Sequence, residues 1–432
     1  MKRLAGLWRL WFNIGVLCLF AVFTCGSVLF FQMSTDWFGA LFLQWDHEYP
    51  NLPWVLTPVL GMLIVGVTRG YFPGIAGSGI PQVIASARLA VAERPYEHLV
   101  SPLLGIMKLV FSSLVFLAGF CAGREGPSVQ LGSSMMVYAG RFFTKDSGIR
   151  HSDLILAGGA AGLAAAFNTP LAGFIFALEE LSDQLAPRSV KVIIPVIMVG
   201  SLMTLIFYGN TSYFPKSIVP GIGILELKWA ILAGVICGLT GAAFSAVLQW
   251  PQTHDTFFLW RWRKHHPVLF ALTFALLVVG LGVLTDGFSF GNGYSSTLLA
   301  LQEKQSIPFW GVWDRMLATV LSYHAGIPGG IFSPSLSIGA GIGTDIGHWL
   351  QLDSGSIQIL MVLCMASFLA AMTQAPVTSA TIAMELINRN DLILLLLVSC
   401  WIARWVSSYF VPEIYQNLAL RFLPADMQRQ PS

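Results

Sequence analysis

Three acids lie in long apolar surroundings. Glu125 sits between Gly123-Arg124 and Gly126-Pro127, and Glu179-Glu180 close a window, Leu154 to Leu178, that contains no Asp, Glu, Lys or Arg. If these runs lie in a membrane, an acid there is expensive and marks a functional position, the natural work being to take up and release a proton. The plainer readings are that Glu125 is salt-bridged to Arg124, and that Glu179 and Glu180 form a solvated or capping helix end. A second chemistry is offered by three glycine-proline clusters, Gly77-Ser-Gly-Ile-Pro81, Gly123-Arg-Glu-Gly-Pro127 and Gly329-Gly-Ile-Phe-Ser-Pro334. Each places Gly before a Pro suited to the first helical position, and so reads as a loop that presents backbone N–H groups at a helix start. Such ends carry roughly half a positive charge. Several converging would hold a dehydrated anion without a full cation, and weakly enough to release it. Lys108, in an apolar run 17 residues before Glu125, is a buried cation expected to support that anion path electrostatically.

The setting is a membrane. Of 432 residues 55% are hydrophobic and 11% charged, against about 25% charged in soluble proteins, which excludes a soluble globular enzyme. A net charge of +2 lacks the footprint of a nucleic-acid binder, so the expected partners are the lipid bilayer and something small. Charge-free windows at Leu154–Leu178, Trp229–His254, Met316–Thr344 and Ser354–Met384, with apolar runs near 11–31, 53–68, 101–122, 192–208, 267–285 and 391–410, predict an all-α polytopic chain of roughly ten to thirteen segments. The run Trp11–Phe31 is too long for a signal peptide and lacks a cleavage site. Gly326, Pro328, Gly329, Gly330, Pro334, Gly339, Gly341 and Gly343 crowd one window. They read either as breaks between half-helices that meet at an internal site or as kinks in packing helices. The basic residues Lys2, Arg3, Arg9, Arg261, Arg263, Lys264, Arg421 and Arg429 put both termini in the cytoplasm. The last apolar run ends near Phe410, leaving no room for a soluble regulatory domain before Ser432. The six cysteines have no C-x-x-C pair and read as small hydrophobes, so neither a metal nor a cofactor is expected.

An internal repeat organises these features. Asn168-Thr-Pro-Leu-Ala-Gly-Phe-Ile-Phe-Ala-Leu-Glu179 matches Gln374-Ala-Pro-Val-Thr-Ser-Ala-Thr-Ile-Ala-Met-Glu385, and Gly123-x-x-x-Pro127-Ser128 matches Gly330-x-x-x-Pro334-Ser335. The chain therefore reads as two copies, 1–215 and 216–432, with the binding site at their interface. Whether the copies run parallel or inverted is not visible in the sequence. Other patterns compete. Gly287-Phe-Ser-Phe-Gly291 fits a hydrolase nucleophile elbow, but that needs a strand-turn-helix and later acid and His partners, and only His324 and His348 follow. His265 and His266 belong to an exposed basic loop, and Asn210-Thr-Ser212 fits a glycosylation acceptor.

In this order and spacing, the three clusters and the repeat resemble the CLC family of chloride channels and chloride/proton antiporters, from about residue 55 to 420. The resemblance implies an inverted repeat of tilted, broken and re-entrant helices, an anion pathway in each subunit, and a homodimer in a bacterial inner membrane. It implies a chloride held by the Ser78 hydroxyl, the Gly126, Ile331 and Phe332 region and the Tyr415 phenol, with Lys108 and Arg124 in support. Glu125 would be the gating glutamate: ionised, its carboxylate occupies an anion site; protonated, it leaves. Glu180 matches the family's internal proton glutamate, apolar in passive channels, which favours an antiporter exchanging chloride for protons over the alternative, a voltage- or pH-gated chloride channel. Glu385, the repeat mate of Glu179, is expected to be structural.

Overall fold

The structure is a computed structural model describing residues 2–144, 147–182, 186–209, 213–214, 226–253 and 256–428. The Asn210–Ser212 acceptor, Arg429 and the junction expected at 215/216 lie outside the described residues. The fold is all-α, with 79% of it helical and no strand among the described residues. The first half comprises α1 (Lys2–Glu48), α2 (Pro53–Tyr71), α3 (Ile80–Val91), α4 (Pro102–Leu117), α5 (Glu125–Met136), α6 (His151–Phe167), α7 (Pro170–Phe176) and α8 (Pro187–Tyr208). The second comprises α9 (Leu227–Thr253), α10 (Phe258–His265), α11 (Pro267–Leu284), α12 (Tyr294–Leu301), α13 (Gly311–Ala325), α14 (Phe332–Trp349), α15 (Ser354–Thr373), α16 (Pro376–Ile387), α17 (Ile393–Ser408) and α18 (Ile414–Ala419). Among the described residues seven helices are long and apolar enough to cross a membrane, and four shorter apolar ones accompany them. α1 contains the segment expected near 11–31 and extends beyond it at both ends. It runs for 47 residues, about 70 Å, more than twice the thickness of a bilayer core.

The charge-free windows break where the chain can turn. Leu154–Leu178 and Ser354–Met384 each become two helices separated by a left-handed residue, Asn168 (φ 56°) and Gln374 (φ 63°), with Pro170 and Pro376 opening the second helix. Met316–Thr344 breaks at Gly326 (φ 90°). At Gly339, Gly341 and Gly343 the packing alternative applies, because α14 runs through them to Trp349. They serve close packing. A Cβ on Gly339 would stand 2.4 Å from the Cys364 carbonyl oxygen, and one on Gly343 would stand 2.5 Å from Met361 Cα, so the absent side chains let α14 lie directly on α15. Gly132 does the same for α5 on α6, where a Cβ would meet the Gly158 oxygen at 2.3 Å. A smaller correction concerns the prolines: Pro127 and Pro334 are third in their helices, leaving Glu125 and Phe332 to lead α5 and α14.

The elbow-like loop is structural. Arg315 donates to the carbonyl oxygens of Phe288 (2.5 Å), Phe290 (3.2 Å) and Gly291 (3.1 Å), while the Ser289 hydroxyl pairs with Thr285 at 3.3 Å. Among the described residues no strand precedes Ser289 and its hydroxyl pairs with Thr285 and with no histidine, unlike the serine of a nucleophile elbow.

Candidate functional site

The three glycine-proline loops meet. Gly77 N–H donates to the Ile327 carbonyl and Gly329 N–H to the Gly77 carbonyl, both at 3.1 Å, while Gly123 and Gly330 exchange N–H···O bonds of 2.7 Å in each direction. Gly126 lies under Ser78 so closely that a Cβ there would be 2.3 Å from the Ser78 hydroxyl. Any other residue would push the serine away. Lys108, fully buried, donates to the carbonyl oxygens of Ile75 (2.8 Å) and Gly77 (2.6 Å). The cation foreseen as support for the anion path thus acts through backbone, holding the loop that carries Ser78.

Around this knot the polar groups are held but not satisfied. The Ser78 and Tyr415 side chains are 3% and 0% exposed, and their hydroxyls approach each other without either making a well-directed hydrogen bond. Leaving a buried hydroxyl unpaired costs about 1–3 kcal/mol, so two side by side indicate a place for a partner from outside the chain. The Tyr415 ring is fixed by stacking on Phe332 (centroids 5.8 Å, 16°), which meets Phe176 edge-on at 6.2 Å. Ile331 and Phe332 stand at the start of α14, where amide groups have no acceptor within the helix. Two hydroxyls and an open helix end form a donor set suited to a small anion.

Glu125 reaches this same helix end. Fully buried, its carboxylate accepts from the Ser333 N–H at 3.3 Å and from the Ser333 hydroxyl. The plainer reading, a salt bridge to Arg124, does not hold. Arg124 turns away to α1, with Nη1 2.5 Å from Asp36 Oδ1 and 3.5 Å from the Thr35 hydroxyl. One carboxylate therefore covers an N-terminus that would otherwise attract a free anion.

Glu179 and Glu180 divide their work. They lie on a single π-turn, Ala177–Leu181, a rare irregularity found often at functional positions. Glu179 accepts from the N–H groups of Val377 (3.2 Å) and Thr378 (2.6 Å) at the start of α16, and its repeat mate Glu385 accepts from Leu171 (3.2 Å) and Ala172 (2.7 Å) at the start of α7. Each half caps the other's helix, as in an isologous interface. The capping alternative thus applies to Glu179, and Glu385 has the structural place expected of it. Glu180 is 3% exposed, with Oε1 unpartnered among the described residues, and its backbone carbonyl is held by Gln416 (2.9 Å), which in turn accepts from Arg88 (2.8 Å). Sequence reasoning missed Ser333, although it is the repeat mate of Gly126 in the matched clusters. It also missed Asp36, 88 residues from Arg124, for which no local signal exists.

These caps carry a stability prediction. Glu385→Ala removes two charge-assisted acceptors, so a loss of about 2 kcal/mol and a thermal midpoint several degrees lower in detergent are expected, with Glu179→Ala matching it. Unchanged midpoints in both variants would show the caps to be unimportant.

The sequence model of the voltage gated chloride channel family matches residues 16–408. The chain belongs to that family. Among its members, the H(+)/Cl(-) exchange transporter ClcA of Salmonella typhi is 28% identical over 419 residues, covering 91% of this chain and 85% of the relative. The protein of the same name from Yersinia pestis is 28% identical over 422 residues, covering 92% and 85%. In fold the chain is similar to a slow cyanobacterial Cl-/H+ antiporter (TM-score 0.78, 24% identity, 96% and 97% of the two chains) and to a CLC-type fluoride/proton antiporter (0.77, 24%, 93% and 96%). This family member is a multi-pass membrane protein.

Proposed function

We propose that the chain is a secondary active transporter exchanging chloride for protons. The observation that carries this reading is the Glu125 carboxylate seated on the N-terminus of α14, beside the unpaired hydroxyls of Ser78 and Tyr415. An ionised carboxylate and an anion compete for that place; protonation removes the charge that holds the side chain there. Proton and anion occupancy are thereby exchanged at one position, and Glu180, buried with a free carboxylate oxygen, is the second proton-bearing group. The names of the ClcA relatives agree with the exchange of these two ions. Lys108 and Arg124 position the loops, and Gly126, Ile331 and Phe332 line the anion site.

Around this function we place two inverted halves, 1–215 and 216–432, a reading supported by the reciprocal Glu179 and Glu385 caps. The protein would work as a homodimer, with a pathway in each subunit, in a bacterial inner membrane and with both termini cytoplasmic. Reconstituted protein under opposed chloride and proton gradients should show a reversal potential set by both ions; a potential set by chloride alone would overturn the antiporter. The fluoride/proton antiporter shares the fold, so anion choice must come from side chains. Ser78→Pro removes one hydroxyl and, by resemblance to nitrate-preferring relatives, should raise nitrate transport relative to chloride in flux assays. An unchanged anion ranking would place Ser78 away from the ion.

A further inference from the structure

A second concentration of donors lies apart from the anion loops. Arg69 at the end of α2, Trp260, Arg263 and Lys264 of α10, and Arg421 after α18 line a cavity of about 610 Å³, and no carboxylate among the described residues lines it with them. Arg69 is the organiser. Its two terminal nitrogens donate to the carbonyl oxygens of Arg263 and Lys264 at 3.2 Å each, drawing the C-terminal end of α10 inward. That leaves Arg263, Lys264 and Arg421 without an ion-pair partner among the described residues. Burial, together with the like charges of Arg421 and Arg69, brings Arg263 down to about 10, and burial also lowers Arg421. Gathering these cations with no acid beside them is therefore unfavourable. A further donor is unpaired: Trp260 is 7% exposed, its ring packed against Trp250 and His324, and its indole N–H has no acceptor among the described residues. Buried indole N–H groups normally find one.

We propose that this cavity is a binding site for phosphate groups, carried either by an anionic lipid headgroup or by a soluble phosphate compound. A halide is too small and too weakly charged to engage several cations around a space of that size. A phosphate oxyanion carries more charge, and its oxygens match the planar fork of arginine. A basic pocket between helix ends is also the kind of place where lipid headgroups are held. The site would touch the anion loops. Arg263 Nη2 lies 3.4 Å from the position a Cβ would take on Gly326, which begins the segment tied to Gly77 and Gly123.

The test is independent of transport. The purified full chain in neutral detergent is titrated with inorganic pyrophosphate at fixed ionic strength, with chloride as the balancing anion. In parallel its thermal midpoint is measured with added short-chain phosphatidylglycerol or phosphatidylcholine. Arg263→Gln/Arg421→Gln should weaken binding about tenfold or more through the lost charge-assisted bonds. Trp260→Phe, which keeps most of the packing, should weaken it by a smaller factor and covers the case in which the double variant does not fold. Pyrophosphate binding that the variants weaken supports a soluble ligand. Stabilisation by phosphatidylglycerol alone, lost in the variants, supports a lipid. If neither probe distinguishes the wild type from either variant, the proposal falls and the cations serve only the fold or the transported anion.

Discussion

Glu125→Gln should stop proton movement while chloride continues to pass. The substitution keeps the length of the side chain and most of its hydrogen-bonding capacity but fixes it in a neutral form, so it can no longer carry a proton or compete as an anion for the start of α14. The Ser333 N–H and hydroxyl that now serve the carboxylate become available to chloride. Loss of a proton-transferring group typically costs 10²–10⁴-fold in rate, so chloride-driven proton uptake into proteoliposomes should fall by roughly 10²-fold or more. Chloride flux should persist, and should lose any dependence on pH that arises at this residue. Proton uptake at the wild-type rate in Glu125→Gln would remove Glu125 from the role of gate.

Glu180→Gln should have an effect of similar size on protons, and it tests a different part of the path. Glu180 lies on the π-turn after α7, well separated from Glu125 along the chain, and one of its carboxylate oxygens has no hydrogen-bond partner among the described residues in a buried setting. A titratable group is needed there to pass protons, whereas chloride needs none. The variant should therefore lose proton transport and keep chloride flux, still gated by Glu125, as measured by paired chloride and pH electrodes on the same vesicles. The neighbouring acid is a built-in control. Glu179→Gln changes a helix cap rather than the proton path, so it should reduce stability more than coupling. If Glu180→Gln pumps protons as well as the wild type, the assignment of the inner proton site is wrong.

The parts of the site readable from sequence were those where composition leaves few alternatives. An acid between Gly-Arg and Gly-Pro in an apolar chain has few structural uses, and three glycine-proline clusters had to be brought together for their N–H groups to matter. Glycine was harder, because it both ends helices and lets them touch. Gly326 does the first while Gly339 and Gly343 do the second, and which one applies depends on what lies across the gap: the backbone at Cys364 and Met361. Lys108 was legible as buried, but its partners are carbonyl oxygens, which every residue has and no sequence pattern marks. The two readings of Glu179-Glu180 could not be separated for a similar reason. The π-turn that sends one to α16 and leaves the other with a free oxygen is a backbone event, and residue type alone does not encode it.

The joint formed by Glu179 and Glu385 is self-complementary: each half offers one acid and one helix start, and receives the same from its mate. Two identical copies of a half would close the frame as well as the present pair does. They would also build two indistinguishable ends to the path. The matched clusters differ at the position that matters, with Glu125 leading α5 and Phe332 leading α14. α5 thus begins with a group that can change its charge, and α14 with a ring that cannot. On the proposed reading, Glu125 and Glu180, neither of which has an acid as its repeat mate, would let a transporter built from two related halves tell its inside from its outside.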